Sequence, residues 1–191
     1  MMDPYLCFAR QAEVSSSIKP IYLFTGVLTE VFFSVPGHGD FTPAHNGMWD
    51  PENKSITYWG TGDEKWNCTA EQDAAAYSIE LLTREGAEKG GKFKVHGGMY
   101  SPKDVLEIYE RIKGRQVVAT RLGGLEDLNK KAFRARREGD VRECGKYIGL
   151  FYQLLTLEGR WTWEENETVG GQFPHIRPAG LEEWLRDHVE V

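Results

Sequence analysis

His38, Asp40 and His45 share one Gly- and Pro-rich stretch, where imidazole and carboxylate groups could in principle hold a zinc ion. No close pair of these ligands sits on a regular element, and His96, His175 and His188 add no ligand spacing. A solvated loop is the simpler reading, and no metal site is expected. Cys68 stands just ahead of a helical stretch. A helix N-terminus lowers a thiol's pKa, so a nucleophilic role competes with the plainer role of a small residue before a cap. Glu30 and Asp73 are the acid–base pair that can be nominated beside the apolar segments. Gly60-Thr61-Gly62 begins like the dinucleotide fingerprint, but Lys65 stands where its third glycine belongs, and no strand-to-helix junction follows. Neither a P-loop nor a Gly-x-Ser-x-Gly elbow occurs.

The elements that must position these groups alternate between strand and helix. Leu6, Phe8, Ala12 and Val14 predict an opening helix that Ser15-Ser16-Ser17 ends. Ile21 to Thr25 is a short β-prone apolar run behind Pro20, and 27–33 is an apolar segment turning into a short helix. A loop over 36–53 carries Phe41, Met48 and Trp49, and its length suits a lid or binding loop. A strand is expected over 55–59, followed by a turn at 60–63. Thr69-Ala70-Glu71-Gln72 reads as a capping box opening a helix with Ala75, Ile79 and Leu82 along one face. Phe93-Lys94-Val95 is a short strand. Ser101-Pro102 opens a helix whose buried stripe is Val105, Ile108, Tyr109 and Ile112 and which Gly114 closes. A strand over 116–122 precedes helices over 125–137 and 141–157, the second with Val141, Cys144, Ile148, Phe151 and Leu155 on one face. An aromatic loop around Trp161 and Trp163, an extended piece at His175-Ile176 and a helix over 181–189 complete the chain. About four strands alternating with helices predict an α/β fold with parallel pairing.

Composition narrows the partners. A net charge of −6 argues against a nucleic-acid binder. The basic run Lys130, Lys131, Arg134, Arg136 and Arg137 is interspersed with acids and reads as a solvated helix face. Three cysteines, Cys7, Cys68 and Cys144, form neither a disulfide framework nor a C-x-x-C pair, which suits a reducing compartment. Met1-Met2-Asp3-Pro4-Tyr5 does not open a signal peptide, and no apolar run reaches membrane-spanning length, so a cytoplasmic protein without membrane contact is expected.

Several blocks in order resemble the C-terminal portion of the NmrA-like family, which includes isoflavone-reductase-like enzymes. The stretch from Ile21 to Phe33 is similar to the family's strand and turn closing over the cofactor. Ser55 to Trp66, reading Ser-Ile-Thr-Tyr-Trp-Gly-Thr-Gly-Asp-Glu-Lys-Trp, resembles its "YWGDG…KW" stretch and leads into Asp73 and Tyr77 of a "D-x-A-x-Y" pattern. Met99-Tyr100-Ser101-Pro102 and Phe173-Pro174-His175-Ile176-Arg177-Pro178 match later units. The resemblance covers nearly the whole chain. It implies the C-terminal part of a Rossmann-like NAD(P)-binding fold with a smaller substrate-binding α/β lobe, a single domain over 1–191 that starts after the family's Gly-rich segment.

What the resemblance implies about function follows. An NAD(P)-dependent oxidoreductase acting on a small aromatic or polyketide-like molecule of secondary metabolism is the leading expectation. Gly26, Val27 and Leu28 are then cofactor-binding. Phe32, Phe33, Trp49, Tyr147 and Phe151 are the substrate wall, with simple core packing the alternative for each. Arg10 falls at or beside the family's catalytic lysine, and it departs from that pattern because arginine stays charged and is a poor proton donor. Two alternatives remain open. One is a non-catalytic binding or regulatory module, associating with itself or with a partner chain that completes the sheet. The other is a cofactor-independent isomerase or cyclase reusing the pocket through Glu30 and Asp73.

Overall fold

Parallel pairing dominates, but it is divided among small sheets. In the computed structural model, which describes residues 4–15, 17 and 19–191, Ile21–Phe24 (β1) lies parallel to Gly91–Lys94 (β6). Val27–Leu28 (β2) runs parallel to Trp66–Thr69 (β5), whose other edge pairs antiparallel with Gly98–Tyr100 (β7). Trp49–Asp50 (β3) and Ser55–Trp59 (β4) form an antiparallel pair, and β4 pairs in parallel with Val118–Gly123 (β8). Among the described residues these make sheets of two, three and three strands, against the four strands expected. Residues 1–3, Ser16 and Ile18 lie outside the described residues, as do the side chains of Leu6 and Val141.

Local chemistry explains some helix boundaries. Pro102–Lys113 (α4) begins at Ser101, whose hydroxyl accepts from the Asp104 amide while the Asp104 carboxylate accepts from the Ser101 amide, and it ends at Gly114 with φ +64°. Pro4–Ser15 (α1), Leu125–Glu138 (α5), Gly145–Leu157 (α6) and Leu181–Asp187 (α7) fall close to the expected spans. Thr29–Phe32 (α2) is the expected short helix after β2.

Glu71–Thr83 (α3) corrects two expectations. Thr69 does not cap it: Thr69 ends β5, and its hydroxyl donates to the Thr25 carbonyl at 2.7 Å. Sheet pairing at 66–69 has overridden the local capping pattern. The face of Ala75, Ile79 and Leu82 is solvent-exposed, and Asp73, Tyr77 and Leu81 are buried instead. The expected extended piece at His175-Ile176 is a turn, closed by the Ile176 amide on the Phe173 carbonyl at 3.0 Å.

Three apolar clusters hold the elements together. The largest joins α2, β3, β5, α4 and α7, with Phe33 stacked on Trp184 at 5.2 Å between centroids and Trp49 tilted against Tyr109 at 4.7 Å. A second packs α5 against α6 through Leu128, Ala132, Tyr147, Leu150 and Leu154. The third lies under α3, around Tyr77, Leu81 and Phe173. Among the described residues, no helix is long and apolar enough to cross a membrane.

Candidate functional site

An aromatic cleft opens where five parts of the chain converge. Val27 and Phe32 come from β2 and α2, Phe41 and Met48 from the 36–53 loop, Trp66 from β5, Tyr152, Gln153 and Thr156 from α6, and Trp161 from the segment beyond it. The cavity it encloses is about 20 Å³, room for a single water, and no charged residue lines it. Phe32 stacks on Trp66 at 5.4 Å, and Tyr152 tilts against Trp161 at 5.3 Å.

Hydrogen bonds hold the two walls in place. The loop folds back through the Gly47 amide on the Thr42 carbonyl at 2.9 Å, with Asn46 in the left-handed region at φ +60°. Asn46 Nδ2 donates to the Lys146 carbonyl at 2.8 Å, and Gln153 Nε2 donates to the Asn46 carbonyl at 2.6 Å. Gly149 makes this approach possible, since a Cβ there would come within 2.4 Å of the His45 carbonyl oxygen. On the opposite wall the Asn67 amide donates to the Trp161 carbonyl at 2.9 Å. The Asn67 side-chain oxygen, in the orientation that satisfies both ends of its amide, accepts from Trp163 N and Nε1 at 3.0 and 3.1 Å.

The residues nominated from sequence separate in space. Val27 and Phe32 reach the cleft with the 36–53 loop. Phe33 and Trp49 lie in the main core, and Tyr147 and Phe151 stand on the side of α6 that meets α5, where Phe133 packs edge-on to Phe151 at 5.4 Å. Leu28 pairs with Thr69 in the sheet. Gly26 has φ +70°, and a Cβ there would fall 2.2 Å from the Asn67 carbonyl oxygen, so its backbone is pressed against β5. Arg10 is exposed on α1 and pairs with Glu13 at 3.3 Å.

Trp66, Tyr152, Gln153, Thr156 and Trp161 were not singled out by sequence reasoning as lining a site. Trp66 closes the "KW" stretch and Trp161 belongs to the aromatic loop, so both carried a signal. The face of α6 carried none, because this helix is apolar nearly all round.

The titratable candidates are engaged in holding the fold. Glu30 is buried, its Oε1 accepting from Trp184 Nε1 at 2.9 Å and its Oε2 from the Glu71 amide at 3.0 Å. Asp73 Oδ2 accepts from the Ala179 amide at 2.9 Å. Burial raises its carboxyl above the ordinary range, the Ala179 bond opposes this, and the charges of Glu30 and Glu183 add to it. Burial pushes the Cys68 thiol up to about 12 despite its 3.1 Å contact with Thr29 Oγ1, so the nucleophile reading is corrected: little thiolate forms. His38 Nδ1 meets Glu71 at 2.7 Å and His45 Nδ1 meets Asp40 at 3.2 Å, two separate surface pairs.

A dinucleotide needs backbone amides free for its pyrophosphate. In the Gly60-Thr61-Gly62 turn those amides are taken. Thr61 N donates to Glu64 Oε1 at 2.9 Å and Gly62 N to Oε2 at 3.0 Å, so the chain's own carboxylate fills the place a phosphate would need. The Gly60–Gly62 turn therefore does not fit a pyrophosphate.

No protein-family model matches the sequence, and no curated protein matches it. Solved structures do match. Isoflavone reductase superposes with a TM-score of 0.63 at 12% identity, over 95% of this chain and 56% of that one. The leucoanthocyanidin reductase–NADPH complex from Vitis vinifera gives 0.67 at 14%, over 96% and 59%. A nucleoside-diphosphate-sugar epimerase from Staphylococcus aureus gives 0.62 at 17%, over 97% and 58%. The chain therefore spans less than two thirds of the length of these neighbours. Reductases and an epimerase share this architecture, so the likeness speaks for fold and not for reaction. The chain has the mixed α/β fold of the Rossmann-like reductases that include isoflavone reductase, the architecture its sequence resemblance implied.

Proposed function

We propose that this chain builds the substrate side of an NAD(P)-dependent oxidoreductase of the NmrA-like type, cytoplasmic and acting on a small, uncharged aromatic or polyketide-like molecule of secondary metabolism. The observation that carries the reading is the uncharged aromatic cleft between β2–α2 and α6, on a fold shared with a reductase solved with NADPH. A cofactor of this kind supplies hydride, and in this reading Gly26, Val27 and Leu28 lie beside it while the pyrophosphate is held by residues other than the Gly60–Gly62 turn. The part of this chain is to line the substrate side with Phe32, Trp66 and Trp161, the 36–53 loop giving way to admit a ring that the opening of about 20 Å³ does not itself hold.

Tryptophan fluorescence tests this directly, since Trp66 and Trp161 line the cleft. Small aromatic carbonyl compounds are expected to quench it saturably, and NADPH or NADH is expected to tighten that binding by linkage. If neither nucleotide binds a folded chain or alters aromatic affinity, the oxidoreductase reading is rejected for it.

A second reading, a non-catalytic module of the same type, is favoured by the Glu64-filled turn and by the exposed apolar residues Ile79 and Leu82 on α3. β8 also lies at the end of its sheet order, an edge where a second copy or a partner chain could add. Stable self-association without nucleotide, measured by sedimentation, supports that reading.

A further inference from the structure

A second cavity, of about 400 Å³, lies at the amino-terminal ends of β1 and β6. Its lining carries three lysines, Lys19, Lys89 and Lys92, one carboxylate, Glu13, and the ring of Tyr22. Ligands of open parallel sheets bind outside the carboxyl ends of the strands, so this cavity is not the crevice in which a dinucleotide would lie.

Backbone contacts bring the lysines together from segments far apart in sequence. The Gly91 amide donates to the Pro20 carbonyl at 3.0 Å, and the parallel register sets Tyr22 beside Lys92. Gly90, at φ +63°, lets the two segments touch. A Cβ there would come within 2.6 Å of the Pro20 carbonyl oxygen and 2.8 Å of Lys19 Cβ. The Tyr22 hydroxyl donates to the Ala9 carbonyl at 3.5 Å and so sets α1, with Glu13, along the same opening.

Charge at this cavity is unbalanced. Lys65, Lys94, Lys103, Lys130 and Lys146 each have a carboxylate within 3.4 Å. Among the described residues, Lys19, Lys89 and Lys92 have no such partner, and no hydrogen bond or ring contact engages their ammonium groups. The one carboxylate in the lining, Glu13, meets Arg10 at 3.3 Å, which offsets its charge. Three uncompensated cations therefore line one opening on a chain whose net charge is −6. Cations gathered in a concave site focus the field and raise the local concentration of anions.

We infer that this cavity binds a compact polyanion, of the kind a diphosphate or a tricarboxylate presents, held by Lys19, Lys89 and Lys92. Each ammonium is a point charge with three donors, so three of them suit an anion whose charge is spread over several oxygens. A monocarboxylate leaves most of that charge unmet. The site is separate from the aromatic cleft and does not depend on how the cleft is used.

Calorimetric titration of the whole chain with inorganic pyrophosphate, citrate and acetate, at one ionic strength, tests the inference. Pyrophosphate and citrate separate a phosphate source from a carboxylate one. At least one of them is expected to bind one-to-one, about tenfold or more tighter than acetate, and to weaken as salt is raised. Lys19→Gln, Lys89→Gln and Lys92→Gln are each expected to weaken it by about fivefold, and the triple variant to abolish it. All three side chains are exposed, so the variants keep the native melting temperature when no anion is present. Lys130→Gln with Lys146→Gln removes two lysines elsewhere and leaves binding unchanged. Absence of binding at millimolar pyrophosphate and citrate overturns the inference. So does binding that survives the triple variant, or that falls as far in the Lys130/Lys146 control, since the anion is then held by general surface charge.

Discussion

Trp184 on α7 donates its indole N–H to Glu30 on α2 at 2.9 Å, tying the C-terminal helix to the segment that leads into the cleft. The other oxygen of Glu30 holds the first amide of α3 at 3.0 Å, in place of a local cap. One buried carboxylate thus satisfies two donors from elements far apart in sequence. Glu30→Ala leaves both unpaired and is expected to cost about 3 kcal/mol, while Glu30→Gln, which retains one acceptor, costs less. Urea unfolding of the two variants checks the order.

Asp73 gives the protein a pH signature. Its carboxyl is raised by burial, so between the ordinary carboxylate range and its own raised pKa the folded state binds more protons than the unfolded one. The contribution of Asp73 to stability therefore falls as pH rises through that window. Asp73→Asn can still accept from Ala179 and does not titrate. Unfolding curves measured from pH 4 to 7 are expected to show the native chain losing stability relative to the variant as pH rises. An unchanged difference across the window counts against the assignment.

Cys68 is expected to be inert in the folded protein. With Cys7 and Cys144 replaced by serine, an aromatic disulfide reagent at pH 8 should leave Cys68 unmodified under native conditions and titrate one thiol in urea. Rapid native reaction would contradict the burial that pushes the thiol to about 12.

Gly149→Ala measures how closely the 36–53 loop sits on α6. Alanine gains roughly 1 kcal/mol of helix propensity. Its methyl would nevertheless meet the His45 and Asn46 carbonyls, and overpacking against backbone typically costs about 1–3 kcal/mol. The expected result is net destabilisation together with weaker aromatic binding, seen in a thermal shift and in the quenching titration. A stabilised variant with unchanged binding would mean that the loop gives way freely.

Helices with their own punctuation were legible in the sequence. Ser101, Pro102, Asp104 and Gly114 specify α4 by local chemistry, and the structure keeps each of those roles. Strands β5 and β7 were not legible, because Trp66–Thr69 is buried at all four positions and shows no alternation, and three residues of β7 are too few for a pattern. The exposed face of α3 misled for a related reason. Ile79 and Leu82 are apolar, yet Asp73 and Tyr77 are the residues that find partners inside. In the cleft, Phe32 and the 36–53 loop could be anticipated. The choice between Phe151 and its neighbours Tyr152 and Gln153 depends on where α5 docks, and that is decided by tertiary packing.

The contact between Asn67 and the Trp161–Trp163 segment has a consequence for how the protein is made. β5 is synthesised well before α6, but the cleft wall it supports is completed by a ring that follows α6. Closing so long a loop is entropically slow and is rewarded only at the end. A nascent chain still lacking Trp161 therefore exposes Phe32 and Trp66 on the ribosome. Closure of the cleft thus waits on a contact distant in sequence, so a compound that binds there can act on the yield from synthesis as well as on stability afterwards.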